Sequence, residues 1–497
     1  MSRFLLLLLL WTAPILRSAE WIRIASPNFE LYTTASEDEA RATIETFERT
    51  RDFFLSAKSF LAPPALPVVL VAFSSAREYK PYSPRELVPA YFAGDEQRDY
   101  VVMSDVGEDR TRVAIHEYVH VLVRHSGLEL PVWLHEGLAD VYSGMRTREG
   151  SILVGNLPDD RAYSLGSGNW MRLAAVLNAT QKSPEYNEAD RSGMFYAQSC
   201  LLAHMLLLSE EYSGKFATFV DRISGSSSAQ TIFGEVYGKS IAEIEKDMLA
   251  YFRQTRIGGA TFKMTANKAA IESARPATDV EIGITLAKLT GMLGRFEDAK
   301  RQLAALSAAN PADRAIDEAQ AYLTLRSGDS SGALEKFRQL VAREGSGWKL
   351  YFDYARLLHM ARAERGAKVA ALHKAVELNP GFGPARLMLG SELYAQGRRA
   401  DALDQLRQIE TIDRRNGAEM HLLMARAAAE LGDSANARRY AEEARKHARR
   451  PEDAARIEAV LREAEAAATA SRSAARPELE EDERRPVIRR RPPPKRR

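Results

Sequence analysis

Cysteine is nearly absent from this chain of 497 residues, which contains a single one, Cys200. One cysteine cannot form an internal disulfide, and its isolation excludes zinc sites built from several thiolates. It is nevertheless compatible with an oxidising compartment, because there is no second thiol with which it could mispair. Cys200 lies in an apolar run from Ser199 to Leu208, so we expect it to be a core residue.

Net charge and long apolar runs are also scarce. A formal charge of +2 gives no overall attraction to nucleic acid or to an anionic membrane, so we expect no nucleic-acid partner. One apolar run, the 13 residues from Phe4 to Leu16, follows the basic start Ser2-Arg3. It is too short to span a bilayer but typical of a signal peptide. We therefore interpret residues 1–19 as a signal peptide cleaved after Ala19, with an uncleaved anchor as the alternative. The protein is then expected to be exported, to a periplasm or out of the cell, without stable membrane insertion.

The chain is too long for one ordinary core, and its first half shows strand patterns followed by helical ones. Alternation from Trp21 to Thr34 predicts a hairpin, and the periodicity from Glu37 to Leu61 predicts an amphipathic helix. Helices begin again near Asp109, after three further strand patterns at Leu66–Phe73, Tyr91–Ala93 and Tyr100–Met103. This order predicts an α+β domain, which we assign to residues 20–260.

After residue 262 the strand patterns vanish and a repeat appears. Four glycines, each followed five residues later by alanine, mark it: Gly294, Gly328, Gly397 and Gly432. The first two are 34 residues apart and the last two 35, and the 69 residues between the middle pair leave room for one degenerate repeat around Gly366 to Pro380. Glycine permits a tight turn between paired helices, and alanine permits their close approach.

This period is that of the tetratricopeptide repeat, and residues 265–470 resemble a tetratricopeptide array. The resemblance implies an all-α solenoid, since one helical pair cannot bury its apolar face without neighbours, and a surface for a protein partner. Residues 471–497, acidic and then basic and proline-rich, predict a disordered tail. Its basic run is interpreted as a solvated tail, or alternatively as a contact for an acidic envelope polymer or partner.

The residues that indicate chemistry are concentrated in two short segments. In the first, Val113 to Val123, His116 and His120 are four apart, so a helix places both imidazoles on one face, where they can reach one metal ion. Glu117 is placed to take a proton from water at that metal. In the second, Pro131 to Asp140, a carboxylate ligand at Glu136 would be followed one turn later by Asp140, which could accept the second N–H of a ligating histidine.

These two segments resemble the peptidase MA-like branch of the gluzincin metallopeptidases, which has H-E-x-x-H on one helix and a W-L-x-E-G-x-A-[DE] type of motif on the next. The resemblance covers roughly residues Trp21 to Arg256 and implies a zincin-like fold. It also implies a Zn²⁺ site with His116, His120 and Glu136 as ligands, Glu117 as general base and Asp140 orienting His116. The 15 residues between His120 and Glu136 are fewer than in thermolysin-like relatives, so their substrate pocket is not carried over.

A peptidase of this family also needs a donor for the oxyanion and an edge strand for the substrate backbone. We expect Tyr196 to be the donor, or else a packed tyrosine beside the metal helices; Tyr118 and His204 are weaker candidates. Tyr100–Met103 is the expected edge strand, with a plain sheet strand as the alternative.

Two other histidines lie close to the motif. His125 is nine residues from His116, about 180° round the helix, so we reject it as a third ligand. His135 points about 100° away from Glu136 and is a minor candidate for substrate contact.

The sequence thus predicts an exported zinc metallopeptidase that hydrolyses a protein or peptide substrate. The competing hypothesis is a repeat-based scaffold whose zincin-like domain does not catalyse.

Overall fold

The computed structural model describes residues 20–475, except 57–60, 86–87, 149, 226–227, 255–256, 265–268, 344–345, 411–415 and 449–450. The predicted signal peptide and residues 476–497 of the predicted tail lie outside the described residues. Contacts divide the chain into two units, with the boundary between Asp329 and Ser330. The domain boundary predicted near residue 265 therefore falls inside the first unit.

The first unit contains both strands and helices. Its strands are β1 (Ile22–Ala25), β2 (Phe29–Thr33), β3 (Val68–Ala72), β4 (Ala90–Gly94), β5 (Asp99–Met103), β6 (Arg146–Arg148), β7 (Ser151–Val154), β8 (Ala260–Lys263) and β9 (Arg275–Pro276). Its helices are α1 (Glu37–Ser56), α2 (Ala76–Tyr79), α3 (Glu108–His125), α4 (Val132–Ser143), α5 (Asp159–Gly166), α6 (Leu173–Asn178), α7 (Pro184–Asn187), α8 (Ala189–Leu208), α9 (Phe216–Ile223), α10 (Ala229–Tyr237), α11 (Ile241–Phe252), α12 (Asp279–Met292), α13 (Phe296–Ala309) and α14 (Arg314–Arg326).

The second unit is helical throughout its described residues. Its helices are α15 (Ser330–Val341), α16 (Trp348–Met360), α17 (Arg365–Leu378), α18 (Gly383–Ala395), α19 (Arg399–Arg407), α20 (Gly417–Glu430), α21 (Ser434–His447) and α22 (Pro451–Ala475). Helix α22 continues for five residues into the predicted tail. Among the described residues, no helix combines the length and the apolar character needed to cross a membrane.

The main sheet has the strand order β4-β5-β3-β2-β1-β9. The pair β1/β2 is antiparallel, which confirms the hairpin predicted from Trp21 to Thr34. The pair β4/β5 forms a second antiparallel hairpin, whereas β3 is parallel to β2 and to β5. The expectation that Tyr100–Met103 is an edge strand was wrong. This segment forms most of β5, which lies between β3 and β4 with all its residues buried, and the edge is β4. Both faces of β5 are covered, because Val101 and Met103 lie in one apolar cluster and Tyr100 and Val102 in another.

Helices cover both faces of this sheet. Because side chains alternate along a strand, Leu70 and Ala72 of β3 face a core shared with α1 and α3. Val69 and Val71 face the other way, into a second cluster that includes Leu289 of α12. The first helix of the predicted repeat region is thus part of the sheet's own core.

The repeat region consists of helical pairs joined by short turns, as predicted. In the first unit α12 packs on α13, and in the second α16 packs on α17, α18 on α19, and α20 on α21. All four glycines that mark the repeat have left-handed backbones, with φ between 79° and 93°. Such angles favour glycine because it lacks a Cβ, so these residues form the turns for which they were predicted.

The degenerate repeat has its turn at Arg362 rather than near Gly366. Arg362 has φ 51°, one of two non-glycine residues with a positive φ among those described. The left-handed positions 294, 328, 362, 397 and 432 are 34, 34, 35 and 35 residues apart. The repeat is therefore regular in structure, and only its glycine signature is missing at 362.

Candidate metal centre

Helices α3 and α4 present the two motif segments to each other. Helix α3 ends at His125, with Gly127 at φ 70° two residues later, and α4 starts directly after Pro131, whose backbone is extended. A proline disfavours helical backbone angles at the residue before it, so α3 and α4 cannot form one continuous helix through Leu130. Helices α3 and α4 then pack together, which brings positions 20 residues apart into contact.

His116, His120 and Glu136 converge. Their candidate ligand atoms all lie within 4.8 Å of one another, and among the described residues they form the cluster suited to hold a metal ion. Oε2 of Glu136 lies 3.3 Å from Nε2 of His116 and 3.6 Å from Nε2 of His120. Burial opposes ionisation of Glu136, but its contacts with the two histidines outweigh burial and hold its pKa well below its usual value. The carboxylate is therefore anionic at neutral pH.

This donor set fits zinc. Two ligands bound at about 2.0–2.2 Å to a tetrahedral ion lie about 3.3–3.6 Å apart, which is the separation between the carboxylate oxygen and each imidazole nitrogen. Two imidazoles and one carboxylate leave a fourth position open, an arrangement typical of catalytic zinc sites, whereas structural sites use four protein ligands. Cys200 is fully buried in the core, as predicted.

Asp140 contacts His116, the histidine that it was predicted to orient. Its Oδ1 lies 3.0 Å from Nδ1 of His116, and Nε of Arg161 donates to Oδ2 at 2.7 Å. Burial favours the neutral acid, but His116 and Arg161 outweigh it and lower the pKa of Asp140. Burial also opposes protonation of His116, yet Asp140 and Glu136 raise its pKa to about 10. Arg161, in α5, was missed because nothing in its local sequence shows that it returns to Asp140.

Glu117 faces the sheet edge. Its Oε2 accepts a hydrogen bond of 2.9 Å from the backbone N–H of Phe92, in edge strand β4. This bond ties the carboxylate to a rigid element and fixes one of its two oxygens. Glu117 follows His116 in α3, so its carboxylate lies between the candidate metal ligands and edge strand β4.

A second residue that sequence reasoning missed is Tyr186, in α7. Its hydroxyl donates to Oε1 of Glu136 at 3.2 Å. Tyr196 lies beside Tyr186, with its ring 5.8 Å from that of Tyr186 and 5.1 Å from the guanidinium of Arg161. Burial, followed by the charge of Glu136, raises the pKa of Tyr196, so its hydroxyl keeps its proton at neutral pH. A tyrosine in a short polar segment carries no pattern that would reveal Tyr186.

The two weaker donor candidates were wrong. Tyr118 is fully buried and packs against Phe29 and Phe47 at 5.3 Å and 5.7 Å, because it faces the sheet rather than the metal cluster. Both ring nitrogens of His204 are engaged elsewhere, with Gly155 and Tyr251, each at 2.8 Å. His204 is therefore a structural residue.

The other two histidines behave differently from each other. His125 faces away from the cluster, as predicted, and its Nε2 lies 2.5 Å from Oδ2 of Asp99. His135 lies at the cluster, with its ring stacked on that of His120 at 4.2 Å. Burial, reinforced by His120, lowers the pKa of His135 to about 3, so this ring is neutral at pH 7.

Gly137 allows α4 to pack tightly on α8. A Cβ at this position would lie 2.3 Å from the backbone oxygen of Ser199 and 2.8 Å from Cβ of Ala203. Glycine is therefore required at this position for the two helices to approach so closely. Glu136 is the next residue, so this packing also sets the position of a candidate ligand.

No protein-family model matches the chain, and no curated protein matches it either. Solved structures that resemble it include a crystal structure of MamA, with 18% identity over 33% of this chain and 94% of that chain, at a TM-score of 0.29. Another is YrrB, described as a TPR protein with an unusual peptide-binding site, with 17% identity over 34% of this chain and 86% of that one, at a TM-score of 0.30. These similarities are too distant to argue for a shared activity.

Proposed function

We propose that the chain is a zinc-dependent peptidase of the zincin type, with a helical-hairpin array that recognises protein. The observation that carries this proposal is the convergence of His116, His120 and Glu136, with ligand atoms within 4.8 Å of one another and Glu117 beside them. A site that served only to stabilise the fold would need no adjacent base. We also propose export to a periplasm or the cell exterior, on the pattern of residues 1–19.

His116, His120 and Glu136 would hold the ion. Zinc, when bound, supplies Lewis acidity toward a scissile carbonyl and lowers the pKa of water at the site to about 7. Glu117 accepts a proton from the attacking water and delivers it to the leaving amine. Its Oε2 is fixed by Phe92, which leaves Oε1 for this transfer. Tyr196, which keeps its proton at neutral pH, is the proposed hydrogen-bond donor to the oxyanion.

Glu117→Gln tests the proposal, because glutamine has nearly the same shape but cannot accept the proton. The variant should retain zinc and lose peptide cleavage by a factor of at least about 10². The substrate is unknown, so cleavage is best measured by profiling new peptide termini in a proteome digested with the wild type or the variant. Glu129→Gln, an exposed residue in the loop between α3 and α4, is the matched control and should cleave like the wild type.

The second candidate function is a protein-interaction scaffold, favoured by the helical pairs that make up the described part of the second unit. Tetratricopeptide-type arrays commonly bind protein segments on the surface formed by successive pairs. On this hypothesis the Glu117→Gln variant would keep its full biological activity, and the wild type would produce no new termini. Those two results together would replace the peptidase proposal with the scaffold.

A further inference from the structure

The two candidate imidazole ligands are supported in different ways. His116 has a hydrogen-bonded support, since its Nδ1 meets Asp140 at 3.0 Å and Asp140 is in turn held by Arg161. Nδ1 of His120 is buried and has no hydrogen-bond partner among the described residues. Metal-binding histidines normally use this second nitrogen to fix the orientation of the ring. His120 therefore lacks the usual restraint on its ring plane.

The ring of His135 contacts His120 and can restrain its orientation in another way. The imidazole of His135 lies parallel to that of His120, with centroids 4.2 Å apart and an angle of 8° between the planes. The ring of His116 contacts that of His120 edge-on, with centroids 4.8 Å apart and an angle of 88° between the planes. His120 is thus bounded by a flat surface on one side and by an edge contact with His116. Rotation about its Cβ–Cγ bond would break the parallel contact.

Helix α4 provides this surface. His135 directly precedes Glu136 and is four residues after Pro131, so it is held in the first turn of the helix that also carries a candidate ligand and Asp140. His135 is partly buried, whereas Glu136 and Asp140 are buried. The ring that stacks on His120 is therefore fixed by the same rigid element that sets the metal-binding geometry.

We infer that His135 is a positioning residue, whose ring holds His120 in its metal-binding orientation by stacking, in place of a hydrogen-bonded carboxylate. This inference rests on the proposed metal site. The support depends on a flat ring and not on a ring nitrogen. The alternative, that His135 is itself a metal ligand, requires a nitrogen and thus makes the opposite prediction for a phenyl ring.

Zinc affinity distinguishes these possibilities without any substrate. Competition with a chromophoric chelator should be measured on the full chain for the wild type, His135→Ala and His135→Phe. Loss of the ring should weaken zinc binding about 2- to 10-fold, the range expected for an aromatic contact, and phenylalanine should restore it to within about 2-fold of the wild type. Asp140→Asn serves as a reference, with an expected loss of about 10- to 100-fold.

Three results would overturn the inference. If His135→Ala binds zinc as tightly as the wild type, the stack does not orient His120. If His135→Phe loses as much affinity as His135→Ala, a nitrogen is required. If the wild type itself binds no zinc, the proposed function fails first and this inference with it. Circular dichroism of each metal-free variant verifies folding, and His135→Leu, which fills space without a flat ring, should bind like His135→Ala.

Discussion

Replacing Gly137 by alanine should push apart the two helices on which the candidate ligand Glu136 depends. The new Cβ would lie 2.3 Å from a backbone oxygen of α8, where ordinary contacts begin near 3.4 Å, so the helices must separate by about 1 Å. A backbone carbonyl cannot rotate aside as a flexible side chain can. Overpacking of this kind costs about 2–3 kcal/mol, and the better helix propensity of alanine offsets about 1 kcal/mol. The free energy of unfolding should therefore fall by about 1–2 kcal/mol.

Gly234→Ala is the matched control, because Gly234 lies within helix α10 and a Cβ there would meet nothing within 4 Å. This variant should gain about 1 kcal/mol, so the difference of about 2–3 kcal/mol between the two variants isolates the clash. Urea unfolding followed by circular dichroism measures both. Zinc affinity should fall in Gly137→Ala alone, since metal sites tolerate shifts of only about 0.2 Å. Equal stability and equal zinc affinity in the two variants would refute the argument.

Three further predictions follow from other parts of the structure. Arg161→Met should weaken zinc binding at least several-fold by releasing Asp140 from its 2.7 Å contact, as chelator competition would show; unchanged affinity would mean that His116 needs no such support. Arg362→Gly should stabilise the second unit by about 0.5–1 kcal/mol in urea unfolding, because it removes the backbone strain of an arginine with a positive φ. Gly397→Ala should destabilise the same unit by about 1 kcal/mol, because it introduces such strain. A change of the same sign in both variants would contradict the repeat geometry. Zinc binding near pH 8 should release about one proton, because the pKa of His116 is raised to about 10 and its ring must lose a proton to bind. The zinc affinity should therefore rise between about pH 6 and pH 9. Calorimetry in buffers of different ionisation enthalpy would detect the released proton, and its absence would contradict the prediction.

The features predictable from the sequence are those set by local periodicity. His116 and His120 share a helix face because they are four residues apart. The turns of the repeat can be recognised from their glycines because each turn needs a residue with left-handed backbone angles. Arg362 shows the limit of this logic. The fold keeps the turn where an arginine replaces glycine, so the glycine signature disappears while the geometry persists.

Contacts that depend on the path of the chain could not be predicted. Tyr186 and Arg161 reach Glu136 and Asp140 from 50 and 21 residues away, through the arrangement of α5 and α7 around α4. The position of β5 between β3 and β4 likewise depends on how a hairpin docks on the sheet, and the apolar pattern of a strand does not say which of its edges is free.

The cover that α12 gives to the second face of the main sheet has a practical consequence. A shortened protein ending near residue 264 would lose β9 from the sheet edge. It would also lose α12, which would expose Val69, Val71 and the aromatic residues around them to water. Such a fragment should aggregate when expressed, because large exposed apolar patches promote association between molecules. Biochemical dissection should accordingly cut after the first three helices of the array, near Asp329, where the compact unit ends.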